Sequence, residues 1–235
     1  LIIGMIHGHE TYAALGLANF FDDLVKNWRD NEVLSMLRWN VQFDVFPIYN
    51  PYGVQNFTRV NGNGVDLNSN LSTDWEPRDQ PGSMYYSGPE AMSEYENQQF
   101  ESYLDSLPYS YDFAIDVHHS DSYTEGGRVL YTRTLNDDVT RLLHGVANQT
   151  NAYLMKEFTH IFGEGNIHTI SLSPPSGTGR MFKFFQDKKI PGTLYEIAFP
   201  GEIIGQQDTI KISVHYLGNL LLSVVRNINS IKLID

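Results

Sequence analysis

The sequence predicts an α/β fold, a twisted mixed β-sheet with helices on both faces. Strand-length apolar runs alternate with segments of helical spacing along the chain, which implies that at least part of the sheet is parallel. The first of these runs, Leu1 to Ile6, leads through a glycine-flanked turn straight into a helical pattern at Thr11. With 235 residues, 41% of them hydrophobic and 13% aromatic, there is enough chain for one sizeable core, most simply a single domain spanning 1–235.

In chain order, the opening run reads as a buried strand, and Thr11 to about Asn27 as an amphipathic helix with Leu15, Phe20 and Leu24 on one side. Glu32 to Arg38 has the spacing of a second, short helix. Val41 to Ile48 alternates apolar with polar and is read as a strand stopped by Asn50-Pro51. Tyr52 to Pro89 is rich in Gly, Asn, Asp, Ser and Pro, and a loop of that length in a compact domain is usually functional. Helical spacing returns from Ser93 to Leu107 and stops at Pro108. Tyr111 to Val117 reads as a buried strand ending at His118-His119, Arg128 to Thr132 as another, and Asp137 to Asn148 as a helix. His168 to Ser173 is strand-like before the breaker Pro174-Pro175-Ser176-Gly177. Met181 to Lys188 is a short helix, Thr193 to Phe199 a strand closed by Pro200-Gly201, and Ile210 to Asn227 a final amphipathic helix.

Composition narrows the chemistry. The 16 basic and 28 acidic residues give a net charge of −12, which argues against a nucleic-acid partner. No apolar run approaches the roughly 20 residues that span a bilayer. Cysteine is absent, so any metal must be held by His, Asp or Glu. The chain opens inside a strand-like run without a signal peptide; the expectation is a domain excised from a longer protein, with targeting information upstream. The compartment stays open, an extracellular or cell-wall setting being slightly favoured.

Three strand ends carry candidate groups: His7 with Glu10, His118, and Glu196. Strand ends are where α/β folds place ligands. Two imidazoles and a carboxylate make a three-ligand zinc set that leaves a position open for water, as hydrolytic zinc sites require. Glu196 lies in an otherwise apolar strand, where an unpaired carboxylate is costly to bury, and suits the role of general base and then acid. His9 and His119 neighbour the candidate ligands and remain alternatives to them, since adjacent strand residues point to opposite faces. His118 is preferred because it shares a face with Asp116 and Ala114, whereas His119 follows Phe113, Ile115 and Val117. His144, His160, His168 and His215 have no motif support, and Phe182, Phe184 and Phe185 are read as core and pocket wall.

These residues resemble the zinc carboxypeptidase family, the M14 metallopeptidases typified by pancreatic carboxypeptidase A. His7-Gly8-His9-Glu10 matches the family's His-x-x-Glu, and Asn50-Pro51-Tyr52-Gly53 its Asn-Pro-Asp-Gly. Arg59 with Gly64-Val65-Asp66-Leu67-Asn68 is similar to its Arg followed by Gly-Val-Asp-Leu-Asn-Arg. Ser87 to Glu94 resembles its Gly-Pro…Ser-Glu segment, Asp116-Val117-His118 falls at the third ligand, and Leu194-Tyr195-Glu196 at the catalytic glutamate. The matches keep the family's order from residue 1 to about 200. The resemblance implies the phosphorylase/hydrolase-like fold, with Zn2+ held by His7, Glu10 and His118 at one end of the sheet. It further implies Glu196 as general base, Arg59 stabilising the oxyanion, Asp66 orienting His7, and Asn68 holding the substrate's terminal carboxylate.

Two departures bear on substrate. The family's Asn-Arg pair is Asn68-Ser69 here, so the arginine that clamps the carboxylate is missing. No tyrosine lies between His160 and Ser176 to close over the substrate. Arg180 falls near the family's specificity position; the expectation is that it supplies the lost charge or reads an acidic substrate side chain, beside the bland reading of a surface arginine at a helix start. The first reading is a zinc metallopeptidase cleaving an amide near a free carboxylate, with a peptide or a peptidoglycan peptide as substrate. The alternatives are a zinc deacylase of N-acyl amino acids, similar to aspartoacylase, and a catalytically inactive peptide-binding module.

Overall fold

The computed structural model describes residues 1–120, 130–133, 137–158, 171–172, 180–198 and 205–231. Its strands are β1 (Ile2–Gly4), β2 (Val45–Phe46), β3 (Ala114–Ser120), β4 (Leu130–Arg133), β5 (Ser171–Leu172) and β6 (Gly192–Ala198). They form one mixed sheet in the order β2-β1-β3-β6-β4-β5, parallel except where β4 meets β6. The helices are α1 (Thr11–Lys26), α2 (Glu32–Asn40), α3 (Pro51–Asn56), α4 (Tyr95–Ser106), α5 (Asp137–Glu157), α6 (Met181–Asp187) and α7 (Gln206–Ile231). None of the described helices is long and apolar enough to cross a membrane.

Strand alternation sorts side chains into two cores, one on each face. Ile115 and Val117 of β3, with Tyr195 and Ile197 of β6, join Leu17, Phe20 and Leu24 of α1 and the apolar faces of α5 and α7. Ile3, Ala114 and Leu194 face the other way, onto Phe184 and Phe185 of α6, Phe100 of α4, and Leu67 and Leu71. Leu17, Phe20 and Leu24 recur every three or four residues, and each buried side chain of this size stabilises by about 1.5–3 kcal/mol. Leu15, expected on that side, is largely exposed.

Three boundaries move. The alternating run Val41 to Ile48 pairs in the sheet only at Val45–Phe46, and the final helix starts at Gln206 and reaches Ile231. Helix α5 runs past Asn148 to Glu157. The segment from Tyr52 to Pro89 contains most of α3 and a 3₁₀ turn at Leu67–Ser69. Of the expected strands at Arg128 to Thr132 and His168 to Ser173, Leu130 to Thr132 and Ser171–Leu172 fall within the described residues and are strand; the breaker at 174–177 lies outside them.

Buried amides fix the long segment. Asn70 Nδ2 donates to the carbonyls of Ser87 and Glu90, and Asn97 Nδ2 to that of Leu67. Glu94 accepts from Asn61 Nδ2 at 2.6 Å, Asn63 Nδ2 at 2.8 Å and Ser93 Oγ at 2.7 Å. These side-chain bonds tie loop backbone that has no ladder of its own to itself and to α4, which is how an Asn-rich loop can hold one shape.

Candidate metal centre

The centre forms where β1 ends beside β3, with Ile3 opposite Asp116 and Gly4 opposite Val117, while β3 runs on to Ser120. Met5 takes a left-handed conformation (φ 56°) and turns the chain out of β1 into His7-Gly8-His9-Glu10, closed by Glu10 N–H donating to the His7 carbonyl at 3.1 Å. Asn50 clamps this turn to α3: its Oδ1 accepts from Gly53 N at 2.8 Å, and its Nδ2 donates to the carbonyls of Ile6 and Arg59. Gly8 lies flat on the backbone of Gly53 and Val54, where a β-carbon would come within 1.9 Å of Gly53 C. Only a glycine at position 8 lets this turn pack so closely on α3.

Inside the turn, Glu10 lies between the two imidazoles. His7 Nδ1 is 2.6 Å from its Oε1 and His118 Nδ1 is 2.8 Å from its Oε2. Ligand atoms of these three buried residues lie within 4.8 Å of one another, the only such cluster of metal-ligating side chains among the described residues. Engaged this way, Glu10 makes no side-chain cap to α1, although it stands at the N-cap position. Burial opposes its charge, but His7 and His118 outweigh burial and hold its carboxyl well below the usual range.

Each imidazole has a carboxylate at its other nitrogen. His7 Nε2 is 3.2 Å from Asp66 Oδ1, and His118 Nε2 is 2.9 Å from Asp116 Oδ2, a charge contact out of hydrogen-bond alignment. Burial would lower the His118 pKa; Asp116 and Glu10 instead raise it well above its ordinary value. Asp66 is fully buried, which opposes its charge, yet His7 and Arg59 hold its carboxyl far below the usual range. A metal-binding histidine usually donates its second nitrogen to a carboxylate, so this donor set fits a zinc ion on the two Nδ1 atoms and Glu10.

Arg59 Nε and Nη2 donate to Asp66 Oδ2 at 3.1 and 2.9 Å, which sets Nη1 3.3 Å from His7 Nδ1. Ser69 Oγ donates to the same Asp66 oxygen at 3.0 Å. Asn68 Oδ1 accepts from Met181 N at 2.9 Å, and its Nδ2 is buried without a partner among the described residues. That bond brings Arg180, half-buried just before α6, next to Asn68. Glu196 stands opposite His118 in register, on the same face of a neighbouring strand about 4.8 Å away. Phe182, Phe184 and Phe185 are buried as expected.

His9 and His119 lie outside the cluster and meet edge to face, ring centres 5.9 Å apart. Sequence reasoning noted Asp116 only as sharing a face with His118 and missed its place behind that ring. The available signal was a carboxylate two residues before a candidate ligand on an otherwise apolar strand.

Among solved structures, carboxypeptidase A from Helicoverpa armigera is similar over 98% of this chain and 61% of that one, with 14% identity and a TM-score of 0.66. A metallo-carboxypeptidase from Burkholderia cenocepacia is similar over 96% and 56% (16% identity, TM-score 0.62). The murein-tripeptide amidase MpaA from Escherichia coli O157 is similar over 94% and 79% (16% identity, TM-score 0.55). This chain thus spans about three fifths of the length of the two carboxypeptidases. At such identities the likeness concerns the fold. No curated protein sequence matches the chain significantly. The sequence itself matches the zinc carboxypeptidase profile, Peptidase_M14, over residues 1–191, and so the chain belongs to the zinc carboxypeptidase family.

Proposed function

We propose that this chain is a zinc-dependent hydrolase that cleaves a peptide amide bond near a free carboxylate. The observation that carries the reading is the convergence of His7 Nδ1, Glu10 and His118 Nδ1, with a buried carboxylate behind each imidazole. A zinc ion held there supplies Lewis acidity, which polarises the scissile carbonyl and lowers the pKa of water. Asp66 and Asp116 fix the two rings so that Nδ1 faces the shared point. Glu196, beside His118, takes a proton from the attacking water and delivers it to the leaving amine nitrogen. Arg59, anchored on Asp66, donates to the carbonyl oxygen as negative charge grows on it.

At the far end of the substrate, Asn68 Nδ2 is a buried donor with no other use among the described residues, and it faces a terminal carboxylate in this reading. Arg180, beside it through Met181, supplies the positive charge missing at Ser69 or reads an acidic side chain. Ser69 in place of arginine loosens the clamp, which opens the site to endopeptidase action and to peptidoglycan peptides. The fold likeness to a murein-tripeptide amidase favours that second substrate class.

Elemental analysis should find about one zinc per chain, lost in His118→Ala. Glu196→Gln should keep the zinc and lose about 100- to 10,000-fold in hydrolysis of short peptides. Undiminished hydrolysis by Glu196→Gln removes the assigned base. Hydrolysis of N-acyl amino acids but not of peptides would favour the deacylase instead.

A further inference from the structure

We infer that Arg78 is an anion-reading arm of the substrate cleft, which takes a carboxylate on the substrate within about three residues of the scissile bond. The inference rests on the reading in which Arg59 meets the scissile carbonyl.

Arg59 and Arg78 lie against one ring. The Arg59 Cζ is 5.1 Å from the centre of Tyr85, and the Arg78 Cζ is 4.9 Å from the same point. The two guanidinium carbons are therefore at most about 10 Å apart, the span of about three extended residues. Tyr85 is 40% exposed and Arg78 half-buried, so the Arg78 end of this arrangement reaches solvent while Arg59 is largely covered.

The two cations are employed differently. Arg59 is neutralised by Asp66, whereas Arg78 forms no ion pair among the described residues. Its neighbour Asp79 accepts from Ser83 Oγ within the same loop. In a chain of net charge −12, a cation left without an acid beside the candidate centre creates a local attraction for anions.

The backbone under Arg78 is fixed. Its N–H donates to the buried Ser87 Oγ at 2.8 Å, and Ser87 N donates back to the Arg78 carbonyl at 3.1 Å. Trp75 Nε1 donates to the Ser87 carbonyl at 3.1 Å. This clasp closes the 78–87 loop and carries Tyr85 with it, so Arg78 is presented at a set distance from Arg59. A guanidinium held on an aromatic face keeps its outer N–H edge free for a carboxylate.

The test uses two fluorescent peptides alike but for one residue, Glu or Gln, placed in turn at each of three positions on either side of the scissile bond. Binding to the zinc-loaded chain is read by anisotropy, and cleavage separately. At one position the Glu peptide should bind about fivefold more tightly than the Gln peptide. The ratio should fall to about one in Arg78→Gln and recover in part in Arg78→Lys. Equal binding at every position, a preference that survives Arg78→Gln, or no binding of either peptide overturns the inference. The expected preference without cleavage would refute the peptidase reading and leave the arm standing.

Discussion

Asp66→Asn is an isosteric change that separates the orienting role of this carboxylate from its bulk. Oδ1 takes His7 Nε2 at 3.2 Å and the Asn68 N–H at 3.1 Å. Oδ2 takes Arg59 Nε and Nη2 at 3.1 and 2.9 Å and Ser69 Oγ at 3.0 Å. An amide can replace only one of these oxygens. If its oxygen stays toward His7, its NH₂ group meets the Arg59 donors; if it flips, it meets the His7 ring. Breaking a buried ion pair costs about 3–5 kcal/mol. The Arg59 side chain keeps 12% of its exposure and can recover some hydration, so about 3 kcal/mol is expected. Loss of a carboxylate behind a metal-binding histidine typically weakens affinity 10- to 100-fold, about 1.4–2.8 kcal/mol. Urea unfolding of the metal-free chain reads the first quantity, and zinc competition against a chromophoric chelator the second. A zinc affinity within twofold of the parent would refute the orienting role, whatever happens to stability.

Three further predictions rest on single contacts. Gly8→Ala puts a methyl group 1.9 Å from Gly53 C and 2.2 Å from Val54 N, backbone that cannot swing aside, so stability should fall by about 3 kcal/mol or more; an unmoved urea midpoint would show that the turn does not dock there. Asp116→Ala should weaken zinc binding about tenfold by releasing His118 Nε2, and calorimetric titration with zinc would expose an unchanged affinity. His215 stacks on Tyr153 between α5 and α7, ring centres 3.6 Å apart, and burial lowers its pKa. The unfolded chain then takes this proton first, so the stabilising contribution is complete above about pH 6.5 and is lost as pH falls through the lowered folded value. The loss between pH 7.5 and 5.5 should shrink in His215→Phe, and parallel urea midpoints for the two proteins would refute the assignment.

The fold was legible where local pattern and tertiary packing agree. Thr11 and Glu32 start helices as their spacing requires, and the glycine-flanked turn after the first strand is where the site lies. Legibility failed where a partner sets the extent of an element. Val41, Phe43 and Val45 do alternate and do pack on the core, but β1 is three residues long and offers β2 only two pairings. The helix expected to stop at Asn148 continues to Glu157, with Thr150 Oγ1 bonding back to the Val146 carbonyl and Leu154 buried. Leu15 is exposed because Leu17, Phe20 and Leu24 already fill the narrow face of α1 that meets the core.

The candidate site was legible to the extent that its groups sit in short motifs. His7 and Glu10 share one turn, and His118 and Glu196 lie toward the ends of apolar strands that prove to be neighbours in register. Contacts made across the long segment left little trace, because Arg78 reaches Tyr85 only through the path set by Ser87 and Trp75. The same segment holds one of the two departures from the family pattern. Ser69 is buried with its hydroxyl turned onto Asp66, so this position supports the carboxylate that engages His7 and Arg59. A serine there cannot replace a bidentate guanidinium in charge or in reach. In the peptidase reading proposed above, the anionic end of the substrate is met from other segments, by Arg180, joined to Asn68 through Met181, and by Arg78, joined to Arg59 through Tyr85.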